Sequence, residues 1–303
     1  MTPDEITAEL QPADLPPGET PRQAPEIHLA VQFAAKTDLG RVRENNEDKF
    51  DWWEPEDPVL LANRGRLYAV ADGMGGHAAG QIASEMALKA LAQAYFGGVN
   101  GSVEDAVARA FSQANAVIYD TARAIPSRSG MGCTLATVAI VDSDAVVAWA
   151  GDSRAYLIRD GIATQMTRDH SLVEEHVQLG ILTREEAAHH PRRNIITRSL
   201  GPEPAVQPDV VRYPLLPGDT LLLCSDGLTG VVADPEIAAL AVASPPSLAC
   251  GELIGVANSR GGPDNVTVAI LRVLDDSGQV QPSEAAPDPP AARRRGFFHR
   301  AGS

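Results

Sequence analysis

Cysteine is scarce in this chain: Cys133, Cys224 and Cys250 are the three in 303 residues, and no two form a Cys-x-x-Cys pair. An odd, widely spaced set supports neither a disulfide framework nor a thiolate zinc site, and it fits a reducing compartment, the cytoplasm. Long apolar runs are missing too. No stretch approaches the roughly 18 consecutive apolar residues of a membrane-spanning helix, and the amino-terminal segment is acidic and proline-rich where a secretory leader would be apolar. Positive charge is in deficit, with 25 Lys+Arg against 40 Asp+Glu and a net charge of -15. Such a chain repels polyanions unless a local basic stripe offsets the field, and none occurs before the carboxy-terminal tail. Nucleic acid is therefore excluded as a main partner, and cations are favoured.

Hydrophobic residues make up 44% of the chain and charged residues 21%, the composition of a globular protein able to bury a sizeable core. Residues 1–27 are acidic and proline-rich without apolar periodicity and read as a disordered tail. Residues 275–303 read the same way, ending in Arg293, Arg294, Arg295 and Arg300 around Phe297 and Phe298. Four arginines and two aromatics give only weak adhesion to a membrane surface, so this end reads as a solvated tail. Residues 28–274 remain as one domain, expected to be monomeric.

Within that domain, strand-like runs occur at Leu29–Ala35, Leu67–Ala71, Leu135–Val141, Ala145–Ala150, Ala155–Arg159, Thr220–Cys224 and Val266–Val273. Helical spacing marks Gln81–Phe96 and Val103–Ala124. Strands, then two helices, then a meander favour an α+β layered fold over alternating βαβ units. The polar stretch Thr167–Gly201 interrupts the strands as a flap-like insertion. Its His189, His190, Arg192, Arg193 and Arg198 either draw phosphopeptides inward or balance Glu185 and Glu186 as a solvated loop.

The acids sit at strand ends. Asp72, Asp152 and Asp226 each follow an apolar run, Asp264 precedes one, and Glu47-Asp48 lies before an aromatic run. Any one Asp-Gly after a strand is ordinarily a turn. Five such positions together suggest converging carboxylates, which repel one another unless a cation neutralises them. With only oxygen donors and no paired His or Cys, the implied ions are hard, Mg²⁺ or Mn²⁺, and two such ions suit phosphate chemistry.

Six ordered segments then carry a resemblance: Arg43-Glu44-Asn45-Asn46-Glu47-Asp48, Val70-Ala71-Asp72-Gly73-Met74-Gly75-Gly76-His77, Gly130-Met131-Gly132-Cys133-Thr134, Gly151-Asp152-Ser153-Arg154, Ser225-Asp226-Gly227-Leu228 and Pro263-Asp264-Asn265-Val266-Thr267. Over residues 28–274 the chain resembles the PPM family, the metal-dependent type 2C protein serine/threonine phosphatases, in its bacterial branch. The resemblance implies a four-layer αββα fold, a central antiparallel β-sandwich flanked by helices, with a two-metal centre at one end. Asp72 would bridge the two ions, Asp48 and the carbonyl of Gly73 would serve one, and Asp226 and Asp264 the other. Glu47 competes for the role given to Asp48. Asp152 with Asp226 would hold a third ion, and Arg43 would grip the phosphate through its guanidinium fork. Water activated by the ions would attack in line, with no phosphoenzyme. The implied substrates are phosphorylated proteins, including serine/threonine kinases and their targets.

Some family members carry His directly after the Asp-Gly, where this chain has Met74, which cannot donate a proton. His77 then either acts or helps its turn, and His170 stands as the candidate general acid, against a plain core or solvated histidine. Cys133 and Cys224 read as small packed residues. Three rival chemistries fail on single residues. The carboxylate of Asp72 would repel a pyrophosphate at the Gly73–Ala78 turn; Gly151-Asp152-Ser153 has no Gly-x-Ser-x-Gly elbow; and Cys224 stands where an aspartyl-phosphate enzyme needs its nucleophilic Asp. The alternative from another class is a catalytically silent pseudophosphatase that binds phosphoproteins; the intact acid set and Arg43 argue against it.

Overall fold

The computed structural model describes residues 29–76, 78–98 and 101–274; the two tails and His77 lie outside them. In chain order the elements are β1 (Ala30–Asp38), β2 (Lys49–Trp53), α1 (Pro58–Arg64), β3 (Arg66–Ala71), β4 (Gly73–Met74), α2 (Ala78–Phe96) and α3 (Val103–Ala124). There follow β5 (Gly132–Cys133), β6 (Leu135–Val141), β7 (Asp144–Ala150), β8 (Arg154–Arg159), β9 (Ile162–Gln165), α4 (Leu172–Gln178), α5 (Arg184–Ala188) and β10 (Asp209–Pro214). The last are β11 (Thr220–Cys224), α6 (Asp226–Thr229), α7 (Asp234–Ala243), α8 (Pro246–Ser259) and β12 (Val266–Leu274).

Two five-stranded sheets result, ordered β1-β12-β11-β8-β9 and β10-β7-β6-β3-β2, beside the two-strand ribbon β4-β5. Every pairing is antiparallel. The period of two along each strand decides the layering. On β3, Tyr68 and Val70 face the opposite sheet and meet Leu221, Leu223, Ala269 and Leu271, while Leu67, Ala69 and Ala71 face outward onto α2 and α3. On the other sheet, Leu222, Cys224, Val266, Val268 and Ile270 turn outward onto α6, α7 and α8. Three apolar cores between four layers make the αββα arrangement that the sequence resemblance implies. Strands covered on both faces have no polar side, so they read as unbroken apolar runs.

The helices stay put through local devices. Ser102 caps α3, its side chain accepting from Asp105 N–H. Tyr95, fully buried on α2, donates to the carbonyl of Arg64 at 2.7 Å and ties that helix to the end of α1. Tyr95→Phe removes this buried hydrogen bond and is expected to cost about 1–2 kcal/mol in urea denaturation; an unchanged midpoint would refute the assignment. No helix among the described residues is long and apolar enough to cross a membrane.

Candidate metal centre

Five acids reach one end of the sandwich from five separate places: Asp48 just before β2, Asp72 after β3, Asp152 after β7, Asp226 after β11 and Asp264 before β12. The first three come from one sheet and the last two from the other. Antiparallel register delivers them, because a strand that runs toward that end leaves an acid behind it and one that runs away carries its acid in front.

Backbone and hydroxyl contacts hold each acid in place. Asp48 is 1% exposed, and its Oδ2 accepts from Ser225 Oγ and Thr267 Oγ1, both at 2.7 Å. Asp72 is clasped by Thr134, whose N–H donates to its carbonyl at 2.8 Å and whose hydroxyl accepts from its N–H at 3.3 Å. Asn265 staples the loop that carries Arg43 to Asp48: its Nδ2 donates to the carbonyls of Leu39 and Asn45, and its Oδ1 accepts from Glu47 N–H. Sequence reasoning quoted Ser225, Thr134, Asn265 and Thr267 inside the motifs but gave them no function. Their signal was adjacency to the acids.

The glycines after Asp72 and Asp226 do not serve left-handed turns, since neither has a positive φ. A Cβ at Gly73 would collide with the carbonyl of Gly80, and one at Gly227 with the carbonyl of Asn265. These glycines permit close approach of backbone beside each acid.

The electrostatics follow from burial. Removal from water pushes Asp48 up to about 7, Asp152 up to about 8 and Asp226 up to about 6, with neighbouring carboxylates adding to each shift. Asp72 is raised well above the usual range, first by burial and then by Asp48, Asp226, Asp152 and Asp264. The carboxylate of Glu47 lies against Gly80 on α2, beside Gly73, and adds to the negative field on Arg43. Arg43 Nη2 donates to Asp264 Oδ2 at 2.7 Å, which raises the pKa of the guanidinium further. The proximity of Asp72 offsets part of the rise at Asp226. As the side chains stand, no three of the described acidic, histidine or cysteine side chains form a common ligand shell.

The donor set nonetheless fits a hard cation. Asp48 Oδ1, Asp152 Oδ1 and Asp226 Oδ1 are buried oxygens with no hydrogen-bond partner. A buried carboxylate oxygen left bare is costly unless a cation faces it.

Comparison with known proteins agrees. The profile of the family described as Protein phosphatase 2C matches residues 39–176. The serine/threonine phosphatase stp of Listeria monocytogenes is 38% identical over 253 residues, covering 80% of this chain and 97% of that protein. This chain belongs to the protein phosphatase 2C family. The solved Streptococcus agalactiae serine/threonine phosphatase matches at TM-score 0.72 and 37% identity, over 80% of this chain and 99% of that one. The catalytic domain of PstP in complex with two manganese ions matches at TM-score 0.70 and 36% identity, over 82% of this chain and all of that one. The protein is thus a metal-dependent protein serine/threonine phosphatase acting on phosphoproteins, and these relatives lend no support to the silent alternative.

In this 2C-type phosphatase His170 is 7% exposed and stacks on Trp149, ring centroids 6.0 Å apart. It exchanges two hydrogen bonds with Gly151: its N–H donates to the Gly151 carbonyl at 2.9 Å, and its Nδ1 accepts from Gly151 N–H at 3.1 Å. Its Nε2 faces Asp209 Oδ2 at 3.4 Å, and burial lowers its pKa. Nδ1 is thus taken up by the turn that carries Asp152, whereas Nε2 is buried without a hydrogen-bond partner. Gly151 itself has φ +119°, and a Cβ there would strike Thr134. Cys133 and Cys224 are fully buried, with thiol pKa values pushed up by burial, as packed residues should be.

Proposed function

We propose that Asp48, Asp72, the Gly73 carbonyl, Asp226 and Asp264 hold two divalent cations, Mn²⁺ or Mg²⁺, with Asp72 shared between them, and that Asp152 and Asp226 hold a third. The observation that carries this reading is the set of buried, unpartnered oxygens on Asp48, Asp152 and Asp226. Asp48 is preferred to Glu47 because its buried Oδ1 has no hydrogen-bond partner and burial and the neighbouring acids raise its pKa. Ions of this class neutralise phosphoryl oxygens and make water nucleophilic near neutral pH.

The chain's own groups do the rest. Arg43, already at the rim of the acid cluster, exchanges Asp264 for the phosphate of a phosphoserine or phosphothreonine and holds it by charge-assisted hydrogen bonds. His170 acts as a positioning residue, fixing the Gly151–Asp152 turn through its two bonds to Gly151. The catalytic domain is residues 28–274, with 167–201 as a flap and 1–27 and 275–303 as flanking segments. A monomer in the cytoplasm opposing serine/threonine kinases is the setting that the separated, buried thiols and the family's chemistry support.

Protein stripped with a chelator should release no phosphate from a phosphothreonine peptide and should regain turnover on adding Mn²⁺, with Mg²⁺ titrated in parallel to rank the two. Full turnover in the stripped protein, or silence under saturating metal, would sink the reading.

A further inference from the structure

A polar cleft of about 470 Å³ opens directly beside the acid cluster, running from Asp152 and Asp226 under α4 and α5 of the insertion. One wall is apolar, formed by Val173, Val177, Ala187 and Ala188. Its cations differ in what already engages them. Arg154 is bound to Asp169 at 2.7 Å, and Arg184 reaches Glu174 at 3.4 Å. Arg193, exposed in the turn after α5, makes no ion pair among the described residues. Charge along the insertion is also segregated. Its acids, Asp169, Glu174, Glu175, Glu185 and Glu186, all precede Ala187, whereas residues 187–201 hold Arg192, Arg193 and Arg198 and no acid. Arg198 is spoken for by Asp209 at 2.6 Å.

We propose that this cleft selects substrates by the residues flanking the phosphorylated side chain, and that Arg193 receives an anionic side chain there. The inference rests on the phosphatase reading, since it needs the phosphate to sit over the acid cluster at the near end of the cleft. With the phosphoresidue so placed, the neighbouring substrate residues pass between the apolar wall and the Arg193 turn. Of the acids that line the cleft, Asp169 and Glu174 are engaged by Arg154 and Arg184, and Asp152 and Asp226 lie at its metal end. A carboxylate that reaches Arg193 therefore finds a guanidinium outside any ion pair, for which a two-pronged hydrogen bond is well shaped. A lysine or arginine there meets Arg193 instead. The preference opposes the field of the whole chain, whose net charge of -15 would otherwise draw basic peptides. A second phosphate on the substrate offers the same anionic chemistry.

The test is a set of phosphothreonine peptides with Glu, Ala, Lys or a phosphoserine placed at each flanking position in turn, assayed with Mn²⁺. At the position that reaches the cleft, kcat/KM for the Glu peptide should exceed that for the Ala peptide about fivefold, mostly through KM, as expected for one partly solvated ion pair. The advantage should shrink as salt is raised. Arg193→Ala should erase the Glu-to-Ala ratio, Arg193→Lys should restore part of it, and Arg193→Glu should invert it in favour of Lys. The phosphoserine arm distinguishes the sources: a larger gain there than with Glu assigns the pocket to doubly phosphorylated substrates. Equal rates for Glu, Ala and Lys peptides, a preference for Lys, or ratios unmoved in the Arg193 variants would each overturn the proposal. No turnover on any peptide would instead overturn the phosphatase reading beneath it.

Discussion

Asp72→Asn should lower metal-dependent phosphate release by about a thousandfold or more, the several kcal/mol that divalent ions contribute to charge stabilisation at a phosphoryl centre. The substitution keeps shape and the backbone contacts to Thr134, and so leaves the clasp around residue 72 intact. What it removes is the one carboxylate whose ionisation all four neighbours oppose, Asp48, Asp226, Asp152 and Asp264. The metal-free variant should therefore be as stable as the parent or more so, while its stabilisation by Mn²⁺ falls. Kinetics and thermal melts on the same preparation check both halves together. Retention of full activity under saturating Mn²⁺ would remove Asp72 from the centre.

The second large effect is on stability. Asp48, Asp152 and Asp226 have folded pKa values of about 7, 8 and 6, all above their ordinary value of 3.8, and Asp72 is raised as well. Between those limits the folded chain binds more protons than the unfolded chain, so stability falls as pH rises. The favourable contribution is complete below about pH 4 and is lost progressively through about pH 8. For the metal-free protein, melting at pH 5 should occur well above melting at pH 8, by several kcal/mol in stability after allowing for the carboxylates that titrate normally. Divalent cations reverse the slope, because they bind the ionised acids of the folded state. The rise in melting temperature on adding Mn²⁺ should thus be largest near pH 8 and small at pH 5. A metal-induced shift independent of pH would mean that the ions bind elsewhere.

Much of this architecture was legible because its strands are sandwiched. β3, β6, β7, β8, β11 and β12 fall within a residue or so of the apolar runs that announced them, and α2 and α3 match their helical spacing. What escaped the sequence reading was less polarised. α7 and α8, rich in alanine and apolar around much of their circumference, present no clear polar stripe to mark a period. β10 is an edge strand ending at Pro214, with mixed exposure and weak alternation. In the centre, the acids were legible from their places at strand ends, but the choice between Glu47 and Asp48 was not. Which of the two is buried against Ser225 and Thr267 depends on residues more than 170 positions away, and in the structure it is Asp48. The contacts of His170 are hidden for a similar reason, since its partner Gly151 lies on the preceding strand–turn and neither residue type announces the pairing.

The bond from Thr267 to Asp48 spans 219 positions. During synthesis the amino-terminal half of the centre is made long before β12, and Asp48 emerges with neither of its hydroxyl partners. A nascent chain that lacks its final strand cannot close the acid cluster, nor fix the loop that Asn265 pins. The centre is therefore complete only once the last strand lies between β1 and β11. A ribosome-stalled or proteolytically shortened product missing residues 264–274 carries Arg43 without the Asp264 that it pairs with in the folded chain.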